Sequence, residues 1–160
     1  MSTRTAPGLA PLWFIDGLVH VHVSGDETEG RYSLLENHVP AGDMPPLHVH
    51  HEEDEVFHVL DGQVTLFLPG SEVSLGAGET FRAAQGVPHT YRVESQSARW
   101  LVFCEPARFD GFVRAVSEPA PREELPPRGR PFDPEEFAAE AARRGIELLG
   151  PPGTLPADES

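Results

Sequence analysis

"LHVHHEEDEVFHVLDG", residues 47–62, gathers four histidines and five acids into sixteen positions. On an extended strand, residues two apart face the same side, so His48 and His50 project together. Glu55 lies off that straight face but is reachable across a turn or bulge at "HEED". Along "EVFHVL", Glu55, Phe57 and Val59 share one face and His58 takes the other, just as His51 alternates away from His50. His89 opens another strand-like run after "GVP". Three imidazoles and a carboxylate suit a borderline divalent metal: iron, manganese, cobalt, nickel or zinc. Four protein ligands on an octahedral ion leave two positions for water, dioxygen or a chelating substrate. Glu52, Glu53 and Asp54 read most simply as a solvated loop. The lesser reading is that one of them orients a ligand imidazole from behind.

Working outward, residues 12–106 consist of short apolar runs broken by Gly, Pro and Asp, among them "LVHVHV", "EVFHVL", "QVTLFL", "HTYRVE" and "RWLVFCE". Many short β-rich runs with turn residues between them predict an all-β antiparallel sandwich or barrel. Asp61-Gly62 is a hairpin signal. After Pro106 the period changes. Phe109, Phe112, Val113 and Val116 recur at helical spacing, predicting a helix over 107–117. "EPAPREELPPRGRP" reads as a proline-rich linker. "DPEEFAAEAARRG" predicts a second helix over 133–144, with Asp133 as N-cap, Glu136 in a capping box and Gly145 as its stop. These signals divide the chain into a loose arm (1–11), a barrel (12–106), a helical extension (107–149) and a disordered tail (150–160).

Composition narrows the chemistry. At 160 residues the chain suffices for one domain with a proper core. A formal net charge of −14 argues against nucleic acid or an anionic membrane surface as partner. All twelve basic residues are arginine, which removes Schiff-base lysines and the phosphate-binding lysine of a P-loop. The single cysteine, Cys104, forms no internal disulfide and reads as a packed strand residue. "LWFI" is too short for a signal core or membrane span, so a cytoplasmic protein is expected. "HHEEDE" lacks the second histidine of the helical zinc-protease pattern, and "GAGETF" is a turn rather than a dinucleotide fingerprint. A second His-x-His pair, His20 and His22, has no acid near it in sequence and reads as structural.

Gly42, His48, His50, Glu55 and Gly62 in "GDMPPLHVHHEEDEVFHVLDG" stand at the spacings of the first cupin motif. Gly78, Gly86 and His89 in "GETFRAAQGVPH" align with the second. The chain thus resembles the cupin superfamily, and is similar to its small single-domain quercetin-dioxygenase-like members. It departs from the pattern at Ala84 and Val93, neither a ligand position. The resemblance implies a jelly-roll β-barrel with the C-terminal helices packed outside. It also implies one divalent transition metal held by His48, His50, Glu55 and His89. In an enzyme Glu55 would double as general base; by strand parity Phe57 and Val59, on the face of Glu55, and Tyr91, on the face of His89, would line the substrate pocket. Two classes of function follow. One is an enzyme acting on an aromatic or enolic, flavonol- or polyketide-like small molecule, either dioxygenase-like or as a non-redox cyclase or isomerase. The other is a metal- and small-molecule-binding module without turnover. Cupins often pair sheets or exchange N-terminal strands, and residues 12–23 are apolar enough for a homodimer.

Overall fold

A computed structural model describes residues 9–158; residues 1–8 of the expected N-terminal arm lie outside it. Twelve strands and two helices occur among the described residues. The larger sheet contains, in spatial order, β11 (Glu118–Pro119), β1 (Leu12–Phe14), β2 (Gly17–Val23), β3 (Ser33–Pro40), β10 (Ser97–Glu105), β5 (Asp54–Asp61) and β8 (Thr80–Ala83). Facing it are β7 (Ser71–Gly76), β6 (Gln63–Leu68) and β9 (Thr90–Val93), together with the pair β12 (Ile146–Gly150) and β4 (Leu47–His50). A bridge between His48 and His89 joins these two groups side by side. All strand pairs are antiparallel, and the inner faces enclose a core that includes Val19, Val21, Leu35, Leu66, Trp100 and Val102. Strict alternation along β10 shows why: Ala98, Trp100, Val102 and Cys104 are buried, while the residues between them are not.

The Asp61-Gly62 signal does not close a hairpin. β5 pairs with β10 and β8, whereas β6 pairs with β7 and β9, so Gly62 carries the chain from one sheet to the other. Its φ of +85° suits a corner as well as a primed turn. A Cβ there would stand 2.4 Å from the Ser97 carbonyl oxygen. The hairpin falls instead at Pro69-Gly70, where Leu68 and Ser71 are opposed.

Helix α1 (Phe109–Val116) and helix α2 (Pro134–Arg143) follow the predicted periodicity. The Asp133 side chain accepts hydrogen bonds from the backbone N–H groups of Glu135 and Glu136, capping α2. Phe112, Phe137, Ala141 and Ile146 form a second, smaller core between the helices and β12. The helices sit outside the sheets and lend Phe109, Phe112 and Phe137 to a cavity wall. The expected linker is a strap tied to the barrel: Trp13 Nε1 donates to the Glu124 carbonyl at 2.9 Å, and Arg130 lies over the Trp13 ring while donating to the Ile15 carbonyl. The tail expected to trail in solvent instead brings Pro152 and Gly153 to a cavity wall. The N-terminal strands offered for a homodimer bury Trp13, Leu18, Val19 and Val21 within their own chain.

Candidate metal centre

Strand pairing assembles the histidines and Glu55 from three places. His48 and His89 exchange two backbone hydrogen bonds, 3.2 and 2.9 Å, which lock β4 against the start of β9. The turn after His50 then delivers Glu55 from β5, in the opposite sheet. One candidate ligand atom from each of His48, His50, Glu55 and His89 lies within 4.8 Å of all the others. This is the one such cluster among the described residues.

Each ring is oriented from behind. His48 Nδ1 lies 2.7 Å from the Pro46 carbonyl, His89 Nδ1 3.1 Å from the Val87 carbonyl, and His50 Nδ1 2.7 Å from Glu53 Oε1. A ring nitrogen beside a carbonyl or carboxylate must carry a proton there, which leaves Nε2 to point into the cluster. Glu55 Oε1 is 2.7 Å from His50 Nε2 and 3.2 Å from His89 Nε2. Even so, Glu55 Oε1 and His89 Nε2 are buried without a well-formed hydrogen bond. Lone pairs that crowd together yet satisfy no hydrogen bond are what a central cation would gather. The donor set therefore fits a divalent metal.

The electrostatics agree. Burial, with the neighbouring His89 and His50 rings, pushes His48 down to about 3, so its nitrogen is free at neutral pH. Burial alone would lower His50, but the Glu55 charge and the Glu53 hydrogen bond outweigh it and hold the group up at about 10. Glu55 is buried too, yet the charge of His50 keeps its carboxyl well below the usual range. In the absence of a cation, His50 is the counter-charge of the site.

The cluster opens on a cavity of about 500 Å³ with mostly apolar walls. Phe57 and Tyr91 line it. Val59 shares the face of Phe57 but does not line the cavity. It lies deeper, against Val64, Leu66, Leu75 and Trp100, because parity fixes the face and not the depth. Sequence reasoning missed the other aromatic residues of the wall: Phe14, Phe109, Phe112, Phe132 and Phe137 come from the first strand and the helical extension. The helical spacing of Phe109 and Phe112 was visible; what they faced was not. One polar corner holds Asp16, Asp43 and Arg128. There the Tyr91 hydroxyl donates to Asp43, whose carboxyl is pushed up to about 6 by burial and then by Asp16.

Two acid readings change. Glu53 is not part of a solvated loop: it is 1% exposed and bonded to His50. His20 and His22, without an acid in sequence, meet Glu123 and Glu36 in space, at 2.7 and 3.1 Å. His51 is exposed, and His58 hydrogen-bonds Thr80 on the outer face, away from the cluster.

Residues 36–104 match the cupin domain family. Over 104 residues the chain is 27% identical to quercetin 2,3-dioxygenase of Bacillus subtilis (strain 168), a match that covers 65% of this chain and 31% of that one. The chain thus spans about a third of that relative's length. Among solved structures, a predicted oxalate decarboxylase from Thermotoga maritima superposes with a TM-score of 0.58 at 17% identity, covering 66% of this chain and 99% of that one. KdgF from Halomonas sp. superposes with a TM-score of 0.54 at 16% identity, covering 62% of this chain and 98% of that one. At such identities these two speak for the fold alone. With the sheet pairing, the domain match and the distant dioxygenase homologue in agreement, residues 36–104 form a cupin domain.

Proposed function

We propose that the protein is a metal-dependent cupin enzyme, dioxygenase-like, acting on an aromatic or enolic small molecule of flavonol or polyketide type. The observation that carries this reading is the convergence of three ring nitrogens and one carboxylate oxygen on the wall of an apolar cavity. His48, His50, Glu55 and His89 would hold the ion. When bound, a divalent transition metal supplies Lewis acidity, and iron, manganese or nickel also a route to reaction with dioxygen.

The chain's own groups account for the remainder. Glu55 is ionised at neutral pH and is the group placed to take a proton from a substrate hydroxyl at the cluster. Phe57, Phe109, Phe112 and Phe137 present flat apolar surface that fits a neutral ring and excludes water. Asp43, held by Tyr91, offers an acceptor for a hydroxyl at the polar corner. The 27% identity with a quercetin 2,3-dioxygenase supports the substrate class. Assembly as a homodimer, in the cytoplasm, belongs to the same proposal and is checked by light scattering and by fractionation.

The test begins with elemental analysis of protein purified without added metal, then oxygen-consumption assays on flavonols and quinol-type polyketides. Glu55→Gln is expected to keep much of the metal and lose turnover. A fully active Glu55→Gln would overturn the role of Glu55. Metal present without turnover, and without any ligand-dependent spectral change, would favour the binding module. Oxygen-independent conversion would favour the cyclase or isomerase.

A further inference from the structure

The three rings of the cluster are not oriented alike. His48 and His89 are held by backbone carbonyls, but His50 is held by a side chain. That side chain, Glu53, uses both carboxylate oxygens. Oε1 meets His50 Nδ1 at 2.7 Å, and Oε2 accepts from the backbone N–H groups of Arg108 and Phe109, each at 3.1 Å. Those two N–H groups begin α1, whose own N-cap residue, Arg108, makes no side-chain capping bond. Glu53 therefore supplies, from the turn that enters the neighbouring strand β5, the negative partner that a helix start requires. The same helix touches His50 a second time, for the Phe109 ring lies edge-on to the imidazole with centroids 5.8 Å apart.

We infer that Glu53 is a positioning residue that fixes His50 for metal binding and couples the occupied cluster to the helix roofing the cavity. The inference rests on the metal-binding reading above. A carboxylate only accepts, so it obliges Nδ1 to keep its proton and leaves Nε2 as the donor atom. Phe109 and Phe112, carried by α1, line the cavity, so whatever steadies the start of α1 steadies part of the wall. Metal at His50 and order in α1 then share one carboxylate.

Glu53→Gln separates this role from mere packing, because it is nearly isosteric. The two backbone N–H groups demand the amide oxygen, so the amide nitrogen must face His50. Nδ1 then has to accept, and the ring proton moves to Nε2, where the metal would bind. Zinc titration calorimetry and hydrogen exchange of residues 109–116, with and without zinc, read both halves. The expected results are zinc affinity weaker by roughly 10- to 100-fold in Glu53→Gln and zinc-dependent protection of 109–116 in the wild type only. Glu53→Asp, which restores the charge at a shorter reach, should recover part of the affinity. If Glu53→Gln fails to fold, Glu53→Ala takes its place, and wild-type zinc affinity with wild-type protection in that variant would overturn the inference. Glu52→Gln, at the exposed neighbouring position, should match the wild type in both measurements. Equal zinc affinity and equal protection in wild type and Glu53→Gln overturn the inference. Wild-type protein that binds no zinc, iron, manganese, cobalt or nickel overturns the metal-binding reading, and this one with it.

Discussion

Leu148 stands opposite His48 in an antiparallel pair, so the last strand of the fold completes the sheet edge that carries the first two histidines of the cluster. Ile146 is likewise opposite His50 and buried. Deleting residues 146–160 should therefore leave β4 unpaired on that side and loosen both rings. Burial of Ile146 alone contributes about 2 kcal/mol. The truncated chain is expected to melt earlier and to hold zinc more weakly, as measured by calorimetry. A truncation with unchanged zinc affinity would show that β4 needs no such support.

Gly62→Ala should be destabilising by about 2–4 kcal/mol, combining a positive φ with the contact against the Ser97 carbonyl. Urea unfolding measures this as a lower midpoint with an unchanged slope. A neutral effect would mean that the corner between the sheets relaxes freely.

Asp43 makes stability depend on pH. Its folded pKa is raised, so between about pH 4 and 6 the unfolded chain loses the proton while the folded chain keeps it. The folded state binds more protons across that window, and stability falls as pH rises through it, by on the order of 2–3 kcal/mol. Asp43→Asn retains an acceptor for Tyr91 and removes the charge. It is expected to raise the melting temperature at pH 7.5 by about 5 °C and to leave it unchanged at pH 3.5.

Phe137 stacks on Phe14 and meets Phe112 edge-on, with centroids 6.2 and 5.1 Å away. Phe137→Ala should cost about 3 kcal/mol and widen the cavity beneath α2. Thermal melts read the first effect, and tighter binding of a bulkier aromatic probe reads the second.

How legible the molecule is in its sequence varies with the range of the contacts involved. His48, His50 and Glu55 follow from alternation and one turn, and Asp133 announces its helix by local chemistry. Glu53 does not announce itself. A run of acids reads as solvated until the N–H groups of Arg108 and Phe109 arrive from far along the chain. Gly62 misleads for a related reason: left-handed backbone serves a hairpin and a corner equally, and only the distant partners of β5 and β6 decide between them. The proline-rich strap looks unstructured because its anchors, Trp13 and Ile15, belong to the other end of the sequence.

The four donor residues all fall within positions 36–104, whereas five of the seven phenylalanine and tyrosine rings around the cavity lie outside that span. The candidate metal ligands and most of the aromatic wall thus come from separable stretches of the sequence. Grafting the appended segments of one homologue onto the barrel of another would recut the chamber while leaving the four donor residues in place, and the graft would still have to supply the partners of β4 and Glu53.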